Sequence, residues 1–241
     1  MAQHISRKEL KHDEFREKLS HGAAAVVSHQ QQVWLYGVVL LAVLLGVFGY
    51  RYYMQRQSAR ASVELADAMK IYDARIRAPN EAAQPGELTY VDEKNKFTDA
   101  AQKFSQVAGR YSRTQPGRVA RYYDALTLEQ LERYAESEKA FKALESSGDE
   151  GFAALADFQL AQIYDKTGRG PQAVQEYQKL ADKPSMFVPK PVVLLALADH
   201  YSQSDPTQAT KYYQQVKSEF PDTQAAQQAD QRVQLLPSAK S

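Results

Sequence analysis

Thirty basic side chains stand against 29 acidic ones in a chain of 241 residues that has no cysteine. Near-neutrality leaves no electrostatic footprint for nucleic acid. The missing cysteine excludes disulfides, thiolate metal sites and a cysteine nucleophile. Only eleven glycines and few β-branched runs occur, while alanine, glutamine, leucine, lysine and glutamate dominate, so an all-α fold is expected.

Residues 1–32 read as a polar N-terminal tail. Ser6 and Glu9 have the spacing of a capping box that opens a helix near 6–30. Phe15, Leu19, Ala23 and Val26 form its apolar stripe, with Lys11, Arg16 and Lys18 nearby. Such a helix suits a membrane surface, a partner, or a simple lead into the next segment. His4, His12, His21 and His29 recur at steps of 8 or 9. At about 100° per residue His12 and His21 fall on opposite sides of a helix, so no metal site is expected.

Val33 to Tyr50 is a run of eighteen residues without a charge. As a helix it would span about 27 Å, close to a hydrocarbon core of about 30 Å. Trp34 and Tyr36 at one end and Tyr50, Tyr52 and Tyr53 at the other match interfacial aromatic belts. Ala59-Arg60-Ala61 has the form of a cleavage site but lies well past the apolar run, so residues 33–50 are expected to be an uncleaved membrane anchor.

Residues 51–236 repeat themselves. Phe104, Gln106, Val107, Tyr111, Thr114 and Gln115 find Tyr213, Gln215, Val216, Phe220, Thr223 and Gln224 at identical offsets, 109 residues on. Steps of 37, 36 and 36 connect Phe104, Phe141, Tyr177 and Tyr213, and four residues before each stands a small one: Ala100, Ser137, Ala173, Ala209. A second stripe, Leu160-Ala161-x-x-Tyr164, recurs as Leu197-Ala198-x-x-Tyr201 and weakly as Asp124-Ala125-x-x-Leu128. Small and aromatic residues four apart share a helix face, so a neighbouring helix can approach beside the ring. The spacing predicts hairpins at 51–112, 118–147, 151–183 and 190–220, and a capping helix near 223–236. The anchor helix is free to continue into 51–78. Residues 78–86 read as a loop, 186–191 as a proline-limited connector, and 237–241 as a short C-terminal tail.

Leu160, Ala161, Tyr164, Gly168, Ala173 and Tyr177, and again Leu197, Ala198, Tyr201, Ala209, Tyr213 and Pro221, resemble the tetratricopeptide repeat, with Leu144 and Leu180 in place of its late alanine. With the anchor and its exit Gly49 to Tyr53, the layout is similar to the bacterial membrane-anchored tetratricopeptide ancillary subunit of the Sec translocon. That resemblance implies an inner-membrane protein with a cytoplasmic N-terminus and periplasmic repeats. It also implies partners among translocon subunits, periplasmic chaperones or secreted chains. Arg51, Arg56, Arg60 and Lys70 outnumber Arg16 and Lys18 around the anchor, which taken alone would place the repeats in the cytoplasm as a structural scaffold. Ala42-x-x-x-Gly46 leaves room for self-association.

Repeat register puts Tyr122, Glu129, Phe158, Gln162, Asp165 and Asp199 on the first helices, the face that such arrays offer to protein partners. No phosphate loop, H-E-x-x-H or G-x-S-x-G occurs, and His200 beside Asp199 reads as packing or surface. No catalytic residue, cofactor, metal or nucleic acid is expected.

Overall fold

A computed structural model describes residues 30–82 and 84–236. The expected tail helix near 6–30, its capping box, its four histidines and the tail 237–241 lie outside the described residues. The chain divides into two compact units, one ending at Arg56 and the other beginning at Gln57.

In the first unit the described residues belong to helix α1 (Gln30–Tyr72), which runs on into the second. Among the described residues this helix is the one long and apolar enough to cross a membrane, with a mean hydropathy of 1.7 over its most apolar window and none of that window buried. Trp34 and Phe48 are about seven-tenths exposed, an arrangement unfavourable in water and natural in hydrocarbon. The Arg56 guanidinium lies 4.6 Å from the centre of the Tyr52 ring.

The second unit is all-α apart from one short strand pair. After the end of α1 come α2 (Glu93–Arg110), α3 (Gln115–Gln130), α4 (Tyr134–Glu145), α5 (Glu150–Lys166), α6 (Gly170–Asp182), α7 (Lys190–Tyr201), α8 (Pro206–Glu219) and α9 (Gln224–Gln234). Helices α3/α4, α5/α6 and α7/α8 are consecutive packed pairs, and each also packs on the next.

The repeated residues make the core. Phe104, Phe141, Tyr177 and Tyr213 are at most 2% exposed, and Ala100, Ser137, Ala173 and Ala209 are fully buried beside them. Ser137 carries a hydroxyl in this apolar place, and Oγ donates to the Ala125 carbonyl of α3 at 2.8 Å. That bond satisfies a polar group that would otherwise be buried unpaired. Leu144 and Leu180 are buried as well. At the C-terminal end, α9 turns Ala226 and Ala229 inward while Gln227, Gln231 and Gln234 stay exposed, a polar closing face.

The shared Thr-Gln pairs are helix starts. Thr114 Oγ1 donates to the Tyr111 carbonyl at 2.8 Å and accepts from Gly117 N at 3.1 Å. Thr223 Oγ1 does the same with Phe220 and Ala226, at 2.8 and 3.3 Å. A Cβ on Gly117 would meet the Tyr111 carbonyl oxygen at 1.9 Å, so only glycine fits this turn without a backbone shift.

Helix α1 ends at Tyr72, short of residue 78. Two two-residue parallel strands, β1 (Arg75–Ile76) and β2 (Thr89–Tyr90), then flank the stretch 78–86, whose described residues form the expected loop. Arg75, bonded to both Glu81 and Glu87, draws this excursion together.

Two of the hairpin turns are the same device 36 residues apart. In each, a residue with positive φ closes the helix, Gly168 at 74° and Glu132 at 58°. The next amide reaches five residues back, Arg169 N to Tyr164 O at 2.8 Å and Arg133 N to Leu128 O at 2.9 Å. Glycine adopts this conformation freely, whereas a side chain there is strained. Glu132→Gly is therefore expected to stabilise the fold by about 0.5–1 kcal/mol. A rise in the urea unfolding midpoint would show it, and a fall would contradict the strain.

Candidate partner-binding surface

The six residues expected to face a partner sit on α3, α5 and α7, and the structure treats them in three ways. Tyr122 and Phe158 are half-buried and engaged with other rings. Tyr122 meets Phe141 edge-on at 5.8 Å and accepts from Gln159 Nε2 at 3.2 Å, and burial pushes its hydroxyl pKa up. Phe158 meets Tyr177 edge-on at 5.9 Å. Glu129 is 6% exposed and accepts from Lys166 Nζ at 2.6 Å.

Gln162, Asp165 and Asp199 are brought together. They line a shallow depression of about 630 Å³ between α5, α6 and α7, with Tyr177, His200 and Ser204. Asp165 Oδ1 lies 2.5 Å from His200 Nδ1. Burial, with Asp165 beside it, raises the Tyr177 hydroxyl pKa well above the ordinary tyrosine range. Asp199 accepts from the Tyr213 hydroxyl at 2.6 Å and pairs with Arg232 of α9.

One arrangement explains all three acids. Glu129 of α3 pairs with Lys166 of α5, Asp165 of α5 with His200 of α7, and Asp199 of α7 with Arg232 of α9. Each carboxylate sits near the end of one first helix and meets a basic side chain 33 to 37 residues on, near the end of the next. Basic groups at helix C-termini are also favoured by the helix dipole. The polar row therefore staples successive repeats while it shapes the surface they present. Lys166, His200 and Arg232 were not singled out from the sequence as its partners. The signal that finds them is the repeat period itself, applied to charge as well as to core residues. Among the described residues no cluster of three or more histidines and carboxylates is arranged to hold a metal ion.

No protein-family model matches the chain, and no curated protein matches it.

Two carboxyl groups elsewhere in the array are pushed up to about 6 by burial. They are Asp124 on α3 and Asp157 on α5, the latter against the opposing pull of Lys179. The folded value for Asp157 lies above the unfolded one, so folding binds a proton more tightly and its contribution to stability grows as pH falls through 6.

Two outcomes are expected. Between pH 7 and pH 5 the wild type should gain stability relative to Asp157→Asn, by at most about 1.4 kcal/mol per pH unit. Equal pH slopes in urea titrations would contradict the raised value. Lys166→Met leaves the buried Glu129 carboxylate without its donor and should lower stability by about 1–3 kcal/mol, read in the same titrations.

Proposed function

We propose that this chain is a single-pass inner-membrane protein whose tetratricopeptide-like repeats bind other polypeptides in the cell envelope, beside the machinery of protein secretion. The observation that carries the reading is the row on the first helices. Tyr122, Phe158, Gln162, Asp165 and Asp199 recur in repeat register, and three of them surround one depression. An apolar row beside a polar one suits an extended or helical segment of a partner, with rings supplying area and carboxylates supplying direction. The apolar helix supports attachment to a membrane. Attachment raises the local concentration of the array near its partners, so modest intrinsic affinity suffices. Translocon subunits, periplasmic chaperones and emerging secreted chains are the partner classes that the sequence resemblance points to. No catalytic role is part of this reading.

Absence of cysteine makes orientation directly measurable. Ser238→Cys and Ser6→Cys each introduce one thiol on opposite sides of the apolar helix in sequence. Intact cells with a permeabilised outer membrane are treated with a maleimide that cannot cross the inner membrane. Labelling at position 238 and not at 6 is expected. The reverse pattern would place the repeats in the cytoplasm, as the flanking arginines favour, and replace the secretion reading with that of a cytoplasmic scaffold.

A further inference from the structure

A second surface lies away from the first-helix row, where α5, the end of α6 and the connector to α7 meet. Its centre is the turn at Ser185 to Val188. Ser185 N donates to the Val188 carbonyl at 3.2 Å, and Val188 N donates back to Ser185 Oγ at 3.0 Å. Val188 is 2% exposed and anchors the turn in the main core, with Pro184 before it and Pro189 after it. The two residues at its tip are both apolar and both bare: Met186 is 84% exposed and Phe187 57%. Phe187 rests on Gly151 at the start of α5, so close that a Cβ there would lie 2.7 Å from the ring. The tip is thus held, not dangling.

Beside this tip is a groove of about 570 Å³ whose apolar wall includes Ala153, Ala154 and Leu180. Its polar wall has an excess of negative charge. Lys179 is shared among Glu145 at 3.0 Å, Asp157 at 3.0 Å and Glu176 at 3.4 Å. Glu150 also lines the groove and has no ion pair among the described residues. Lys183 is the other cation at its edge, so three lining carboxylates, Glu145, Glu150 and Asp157, face two lysines, one of which Glu176 also engages from outside the groove. Asp157, 6% exposed, lines this wall with Oδ2 on Lys179 and Oδ1 without any hydrogen-bond partner. A buried oxygen left without a donor is destabilising and marks a place where a donor is wanted.

We infer that this groove and the Met186–Phe187 tip form a second docking surface, for a polypeptide segment that carries an apolar side chain next to lysine or arginine. The apolar side chain packs between the tip and the Ala153–Ala154 wall. The cation joins the carboxylates that Lys179 and Lys183 together leave in excess. Methionine and phenylalanine suit such a role, because one adapts its shape and the other supplies rigid area. The inference rests on the polypeptide-binding reading above and adds a site and a partner chemistry to it.

The test uses the full chain in a non-ionic detergent, applied to cellulose-bound dodecapeptides of three compositions. One set mixes leucine and phenylalanine with lysine and arginine, a second replaces the cations by glutamate, and a third replaces the apolar residues by serine. Retention on the first set alone is expected. The double variant Met186→Ser, Phe187→Ser should weaken it about tenfold. Leu235→Ser, which removes another exposed apolar side chain at the C-terminal cap of α9, should leave it unchanged. Both substituted sites are exposed, and circular dichroism confirms that each variant folds.

Retention that survives the double variant but is lost in Gln162→Lys overturns this inference and leaves the first-helix reading standing. Retention on the glutamate set overturns it as well. Retention on no set removes both. If the double variant instead converts a dimer to a monomer on size exclusion, the tip joins two copies of this chain and the inference falls.

Discussion

Everything in the second unit depends on one packing relation: a small side chain set four residues before an aromatic one on each second helix. The small residue lets the facing helix come close, and the ring fills the space that the approach opens beside it. Substituting either member leaves a void or a clash in a core that is continuous from one hairpin to the next. Tyr72, Phe104 and Tyr123 show the linkage most clearly, with ring centres 5.4 to 6.0 Å apart across α1, α2 and α3. Where the small position is a serine, the array keeps the geometry by bonding the hydroxyl to the facing backbone.

The polar side chains follow the same period for a different reason. Each acid near the end of a first helix is answered one repeat later, so charge reinforces the register that burial establishes. This also decides which carboxylates remain available. Glu129 is enclosed beneath its half-exposed lysine, whereas Asp165 and Asp199 keep their pairs at the wall of a depression and stay within reach of solvent. Surface pairs of this kind contribute little stability individually. Their effect is to hold side chains of adjacent repeats in fixed relation, and a recognition surface needs that more than it needs energy.

The core was legible because burial imposes a strict spacing, and the rungs from Phe104 to Tyr213 could be read off as a list of positions. The hairpin containing Glu132 looked poor by residue type and yet has the same turn as the one containing Gly168, since backbone hydrogen bonding tolerates a strained residue that a pattern does not. The strand pair after Tyr72 carried no signal, because two-residue strands have no periodicity to detect. Half of the candidate surface was visible. The acids stood out by register, but their cations and the Ser185–Val188 turn are defined by contacts between segments distant in sequence. Lys179, an unremarkable lysine on a helix, becomes central only when α4, α5 and α6 are placed side by side.

The staples have a consequence for how the array comes into being. Among the described residues, each acid–base contact of this row joins positions fewer than forty apart, and each hairpin packs on the one before it. No helix waits for a distant part of the chain to find its place. An order of assembly follows from this locality, with each hairpin completing the exposed face of its predecessor and α9 finishing the series. A chain delivered from its N-terminus, one segment at a time, can therefore fold as it is delivered.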